Sequence, residues 1–393
     1  MNEGARRILL LDTGNEWGGG TNSMIELLKR IDRTRFAVTA CFYRNYRQGD
    51  STLQAALAAI DIPLVILPTR HQPWWAKLAK ELVRGLLAWR KPWRAAAVFK
   101  IELAWRIRPR ARELAAVLKD FELLYMNNQP ASNLEGYLAA EMSGVPVVQH
   151  CRIEPRLNAL ERDTVNRLAR AVICVSQGVR EALVRQGVRA ALCQVVHNAI
   201  DSRQSLPVAQ PLMGVATGVP VIGTIGSLIR RKSVNHLLRA VARLPAEFAP
   251  HLLIVGEGPE EAALRQLAEE LGLAGRVTFA GFQKQPLPWL AAMDVFVLSS
   301  SSEGLPRVIL EAMLLGKPVV ASNIVGSSEL VVHDETGYLY SYGDIDALAV
   351  HLADLLHDPA KRQAMGAAGR RRASAEFSIE TYVAGVTKIL EGV

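Results

Sequence analysis

Cysteine is scarce in this 393-residue chain: four residues, Cys41, Cys151, Cys174 and Cys193, none of them in a C-x-x-C pair. That scarcity argues against a disulfide framework or a thiolate zinc site and points to reduced thiols. Long apolar runs are missing too. No stretch approaches the roughly 18 uninterrupted apolar residues of a membrane-spanning helix. The first apolar run, in MNEGARRILLLDTG, stops at Asp12, too soon for the core of a signal peptide. A cytoplasmic protein, or one lying on the cytoplasmic face of the inner membrane, is expected. Two nucleotide signatures are absent as well. The glycines after the first strand do not form G-x-G-x-x-G, and no acidic residue closes the second strand, FAVTACFY. Nor is there a Walker lysine pattern, so a nicotinamide dehydrogenase is disfavoured.

What is present reads as a soluble globular chain, half hydrophobic and 21% charged, and long enough for two domains. Continuous apolar runs such as ARRILLLDTG, FAVTACFY, IPLVILP, FELLYMNN, VPVVQH and RAVICVS alternate with helical segments. Such runs mark buried parallel strands, so the fold class is α/β, with Rossmann-like parallel sheets. The spacing predicts one domain over residues 1–203, a Pro- and Gly-containing linker over 204–219, and a second domain over 220–375. Its strands are VPVIGTIGSL, HLLIVGEG, RVTFAGF, DVFVLSS, KPVVAS and GYLYSY. The last segment, 376–393, reads as an amphipathic helix returning toward the first domain. Ligands in such sheets collect beyond the carboxyl ends of strands, so a cleft between two facing domains is the expected site.

Two glycine turns sit where a phosphate would be held. One is Asn15-Glu16-Trp17-Gly18-Gly19-Gly20, between the first strand and first helix; the other is Gly226-Ser227-Leu228-Ile229-Arg230-Arg231-Lys232-Ser233 in the second domain. Backbone amides at the positive end of a helix suit an anion, and adjacent cations suit a diphosphate. The alternatives are a tight turn needing positive φ and a solvated helix start. Two glutamates follow, Glu303 after four serines and Glu311 inside an apolar helix. On one helix they would stand roughly 12 Å apart, too far for a retaining-hydrolase pair at about 5–5.5 Å. Pro306 places the helix start after Glu303, which frees that carboxylate to face a ligand. Glu311 suits a ribose diol, or else a helix ion pair with a lysine.

Ser302-Glu303-Gly304-Leu305-Pro306, Leu310-Glu311-Ala312-Met313 and Gly316-Lys317-Pro318 resemble the signature of retaining glycosyltransferases of family 4, with the GT-B fold. The resemblance is nearly continuous in the second domain and patchier in the first, at the glycine loop, VPVVQH, ICVSQGVREAL and VVHNAID. It implies that Glu311 binds the nucleotide ribose and Glu303 the donor sugar. Gly304, Leu305 and Pro306 would lie at sugar and phosphate, Lys232 on the departing diphosphate, and Gly18, Gly19 and Gly20 opposite it. His150 matches a histidine at the donor sugar; alone, a histidine after a strand is more often structural. The family arginine is replaced by Ser227 and the glycine after the lysine by Ser233, so Arg231 is expected to join Lys232, with Arg230 the other candidate. The implied reaction moves a hexose from a UDP- or GDP-linked nucleotide sugar to an acceptor hydroxyl with retention. No D-x-D cluster accompanies these motifs, and neither a metal nor another cofactor is expected. The rivals are a GT-B nucleotide-sugar 2-epimerase and a non-catalytic sugar-nucleotide or scaffold protein.

The net charge of +8 is concentrated. Between Arg70 and Arg112 twelve Lys/Arg face two Glu, and five of the seven tryptophans lie there. Trp74, Trp75, Lys77, Arg84, Trp89, Arg90, Trp93, Arg94 and Trp105 are expected to dock this segment on an anionic membrane surface, where indoles settle at the interface and cations meet headgroups. That would suit a lipid-linked or cell-envelope glycan acceptor. Core aromatics with solvated cations, or a nucleic-acid surface, are the competing readings, and no nucleic-acid partner is expected.

Overall fold

The computed structural model describes residues 4–14, 17–48 and 51–393; Asn15 and Glu16 of the first glycine loop lie outside the described residues. The chain divides into two compact units. The first takes residues 1–174, 180–194 and 386–393, and the second takes 175–179 and 195–385.

The first unit contains β1 (Arg6–Asp12), β2 (Phe36–Phe42), a short hairpin of β3 (Arg47–Gln48) and β4 (Ser51–Thr52), β5 (Leu64–Ile66), β6 (Leu123–Asn127), β7 (Val147–Cys151), β8 (Ala169–Cys174) and β9 (Cys193–Val195). Seven of these form one sheet in the order β5-β2-β1-β6-β7-β8-β9. Neighbours from β5 to β8 run parallel, for example Ile8 opposite both Val38 and Leu123. Ile8, Leu9, Leu10 and Leu11 are fully buried, as a strand covered on both faces requires. All four cysteines are free and buried. The apolar pattern did not announce this hairpin, because the residues of its two short strands are polar.

The second unit holds β10 (Val221–Ile225), β11 (His251–Val255), β12 (Val277–Phe279), β13 (Val295–Leu298), β14 (Val319–Ser322) and β15 (Gly337–Tyr340), all parallel, in the order β12-β11-β10-β13-β14-β15. In both sheets the strand order therefore reverses beside the first strand, between β1 and β6 and between β10 and β13. That reversal opens a crevice at the strands' carboxyl ends, where ligands of such sheets bind.

After a first visit at 175–179 the chain passes into the second unit at Val195, ahead of the border at 203 that the sequence suggests. The reason is local bonding: Ile200 exchanges backbone hydrogen bonds with Phe377 and Ile379, and Asn198 reaches Leu305. Residues 204–219 carry neither helix nor strand. The helix Ile379–Glu391 ends in the first unit, where Arg6 donates to the carbonyls of Leu390 at 2.6 Å and Val393 at 2.5 Å and Arg35 pairs with Glu391.

Candidate functional site

In the second unit the turns leaving β10 and β13 meet at the reversal point. Gly226 follows β10 with φ +154°, a conformation that favours glycine, and the stem of Lys232 lies 3.4 Å from where a Cβ would stand. A tight turn over Arg230–Lys232 follows, then Ser233 in the left-handed region (φ 48°), then the helix Val234–Val241. From the other side, the serines after β13 act as a clamp. Ser299 Oγ donates to the carbonyls of Lys232 and Ser233, each at 3.0 Å, and the Ser301 amide donates to Arg231 O at 2.8 Å. Arg231 Nη1 in turn donates to Ser302 O at 2.7 Å.

The clamp delivers Glu303 onto two cations. Lys232 Nζ donates to Glu303 Oε1 at 2.7 Å, and Arg231 Nη1 stands 3.0 Å from the same oxygen. Burial by itself would raise the carboxyl's pKa. The charge of Lys232, and then of Arg231, outweighs it and holds Glu303 below the usual carboxylate range. Of the two candidate arginines, only Arg231 joins this cluster; Arg230 is 93% exposed along its side chain and stands 3.6 Å from Glu260. Ser227 sits half-buried on the same turn.

The loop beyond Glu303 is fixed. Gly304, Leu305 and Pro306 are buried, and Asn198 Nδ2 donates to Leu305 O at 2.8 Å. Gly326, at φ 83°, lies so close that a Cβ there would stand 2.2 Å from Gly304 O. Pro306 caps the helix Arg307–Leu314. On that helix Glu311 is half-buried and pairs with Arg307 at 3.5 Å, an arginine where a lysine was the simple expectation. Asn198 had no role in the sequence reading; only its place in VVHNAID, within the resemblance, pointed to it.

One D-x-D spacing does occur, Asp344-Ile345-Asp346, and it serves folding. Asp344 caps the helix Ile345–His357 by accepting from the Ala347 amide, and Asp346 pairs with Arg243 at 2.8 Å. Among the described residues no group of three or more His, Cys, Asp or Glu gathers as a metal ligand set.

In the first unit, Gly18 precedes the helix Gly19–Arg30 with φ −110°, and neither Gly19 nor Gly20 has positive φ. These glycines are therefore not placed for a strained turn. Nothing lies within 4 Å of a Cβ built on Gly19, so its backbone is open to a close approach. Gly20 faces the side chains of Arg152 and Asn127. Behind the loop, buried Asp12 accepts from the Gly14 amide and from the amides of Asn127 and Asn128. His150, the histidine expected at a sugar, stands at the carboxyl end of its strand. Its ring is fully buried in β7, where Nδ1 shares a hydrogen bond with the Tyr125 hydroxyl. Burial, and then the charge of Arg152, hold its pKa well below 6.5, so the imidazole is neutral.

The basic segment forms the helices Trp74–Leu86, Lys91–Glu102 and Arg108–Leu118, with a wide turn at Leu103–Ile107. The first of these is turned inside out. Trp74, Leu78, Leu82 and Leu86, spaced by four on one face, are exposed, while Ala76 and Lys80 are buried. Trp75, Trp89 and Trp93 are exposed too, as are Lys77, Arg84 and Arg90, and Arg94 is half-buried. Trp105 corrects the expectation: it is half-buried, with Lys80 Nζ 5.4 Å from its ring centroid, and Lys80 pairs with Glu102. It packs inside the segment rather than on its surface. Among the described residues no helix is long and apolar enough to cross a membrane.

Known proteins resemble this chain in sequence and fold. Residues 213–372 match the family described as glycosyl transferases group 1, and residues 17–204 match glycosyltransferase family 4. The lipopolysaccharide core biosynthesis glycosyltransferase LpsE of Rhizobium meliloti is 32% identical over 56% of this chain and 63% of its own length. A GDP-mannose-dependent alpha-(1-6)-phosphatidylinositol monomannoside mannosyltransferase of Mycolicibacterium smegmatis is 36% identical over 44% of this chain and 48% of its own. The chain thus spans about half to under two thirds of the length of these curated relatives. The crystal structure of Anabaena Alr3699/HepE in complex with UDP-glucose superposes with a TM-score of 0.78 at 25% identity, over 98% of this chain and all of that one. Two parallel-sheet units, each with its reversal point, and two family matches that divide the chain between them point the same way: they support a GT-B glycosyltransferase of the family 4 type.

Proposed function

We propose that the chain is a retaining glycosyltransferase that moves a hexose-type sugar from a UDP- or GDP-linked donor to a hydroxyl of a lipid-linked or cell-envelope glycan. The observation that carries this reading is the Arg231–Lys232–Glu303 cluster at the carboxyl ends of β10 and β13. Two adjacent, preorganised cations stabilise the charge that develops on a departing diphosphate, which is the main chemical need of the reaction. They also supply charge that a divalent metal would otherwise bring.

In this reading Lys232 and Arg231 hold the diphosphate, and Arg231 compensates for the serine at 227. Glu303 accepts hydrogen bonds from sugar hydroxyls, with the fixed loop Gly304–Pro306 beside it, and Glu311 leaves Arg307 to accept from the ribose diol. The open backbone at Gly19 suits a phosphate oxygen. His150, neutral and buried, is a positioning residue that fixes the end of β7. The bond from sugar C1 to the β-phosphate oxygen breaks with its electron pair staying on phosphate. The acceptor oxygen bonds C1 on the same face, and its proton passes to the leaving phosphate.

The exposed tryptophan–leucine stripe with its cations supports docking on the cytoplasmic face of an anionic membrane, since an apolar face of this size on a soluble helix marks a contact surface. A glycolipid relative and a lipopolysaccharide-core relative fit an acceptor presented there.

The test is release of UDP or GDP from sugar nucleotides with and without bacterial envelope glycolipid. Acceptor-dependent release that Glu311→Ala removes supports the proposal. Conversion of the sugar nucleotide to its epimer without acceptor would favour an epimerase, and unchanged turnover in Glu311→Ala would sink the assignment of the ribose.

A further inference from the structure

Glu303 is an anion, and it already occupies the cations that a diphosphate needs. A single oxygen, Oε1, takes both Lys232 Nζ at 2.7 Å and Arg231 Nη1 at 3.0 Å. A buried carboxylate is costly unless its charge is paired and its oxygens are hydrogen-bonded. Any diphosphate that recruits the two cations therefore takes from Glu303 its charged partners and leaves it the Ser300 hydroxyl. Two bonds that do not involve the cationic ends hold the surrounding loop: the Ser301 amide donates to the backbone carbonyl of Arg231 on one side, and Asn198 holds Leu305 on the other. The exchange is confined to side chains.

What happens next depends on what the diphosphate carries. A sugar at its end offers hydroxyls that donate to the abandoned carboxylate. A bare nucleoside diphosphate offers none, so it takes the cations and leaves a buried charge unpaired. We propose that Glu303 is a specificity-determining residue that favours sugar-bearing nucleotides over the bare nucleoside diphosphate, and that it reclaims Lys232 and Arg231 once the sugar has left, driving the spent nucleotide out. The inference rests on the glycosyl-transfer reading above and adds a competition that reading does not require. Because its carboxyl lies below the usual range, Glu303 remains an effective competitor across neutral pH.

The experiment is calorimetric titration of the full chain with UDP, GDP, UDP-glucose and GDP-mannose, in the wild type and in Glu303→Gln. The wild type is expected to prefer the sugar nucleotide over its diphosphate. In Glu303→Gln the bare diphosphate should gain about tenfold or more in affinity, because an anion has gone from beside its two cations, while the sugar nucleotide gains nothing and the preference disappears. Gain of affinity is a readout that damage to the fold does not produce. Glu303→Ser serves as the second variant should glutamine fold poorly. A diphosphate affinity unchanged or weakened in these variants overturns the competition alone, whereas a wild type that binds none of the four overturns the functional reading with it.

Discussion

Replacing Lys232 by methionine should cost stability as well as chemistry, and the structure sets the size. Lys232 Nζ lies 2.7 Å from Glu303 Oε1, with side chains only 15% and 9% exposed. At an effective dielectric of 20 that separation corresponds to a gross attraction of about 6 kcal/mol. Breaking a buried pair costs about 3–5 kcal/mol because a charge is left behind. Here Arg231 remains 3.0 Å from the same oxygen, but it is 39% exposed and already shared with Ser302, so the low end applies, about 3 kcal/mol. For a unit of this size that is roughly a 6–12 °C fall in melting temperature. The double variant Lys232→Met with Glu303→Gln removes the stranded charge, and its loss of unfolding free energy should be at least ~2 kcal/mol smaller than the sum of the two single losses. Thermal unfolding of the wild type, the two single variants and the double variant, at pH 7 and fixed salt, reads all of this. Additive shifts, or a Lys232→Met protein that melts with the wild type, would refute the coupling and with it the claim that the cluster is a buried ion pair.

His150 predicts a pH effect whose sign is fixed by its lowered pKa. The unfolded chain takes up a proton that the folded chain refuses, so this contribution is complete above about pH 6.5 and falls as pH drops below it, by up to ~1.4 kcal/mol per pH unit. His150→Gln should narrow its stability gap to the wild type between pH 7 and 5, and parallel melting curves would contradict this. At Ser233, with φ 48°, glycine should be tolerated within about 0.5 kcal/mol, since lost hydrogen bonds to Arg230 O and Tyr342 offset relieved strain. Valine there should cost about 2 kcal/mol or more; denaturant midpoints distinguish the two. Trp74→Glu combined with Leu82→Glu should leave the melting temperature unchanged and sharply reduce co-sedimentation with anionic vesicles at modest salt. Equal binding by this variant would remove the membrane surface from the proposal.

Most of the architecture was legible because parallel strands covered on both faces advertise themselves as unbroken apolar runs: ILLL in β1, LLIV in β11 and VFVL in β13 each lie where the pattern put them. The glutamates were legible for a different reason. Glu303 follows small serines and Pro306 dates the helix start, so the carboxylate had to stand in the loop. Contacts between residues distant in sequence were not legible. Asn198 and Leu305, 107 positions apart, meet only through the fold, and no local signal announces an amide gripping a carbonyl. Trp105 failed for the opposite reason: a tryptophan among cations looks the same whether its ring faces water or a buried lysine. His150 was drawn toward the sugar by resemblance, while its burial comes from sheet position, between the strands β6 and β8, which a single segment does not encode.

Lys232 and Glu303 are separated by 71 residues of chain and become neighbours only after β13 has slotted in beside β10. During synthesis the lysine emerges well before its acid, and every intermediate that lacks the later strand has half a binding surface. Substrate therefore recognises nothing but the finished sheet, and saturating it should shield the stretch from 233 to 302 against protease as a block rather than loop by loop.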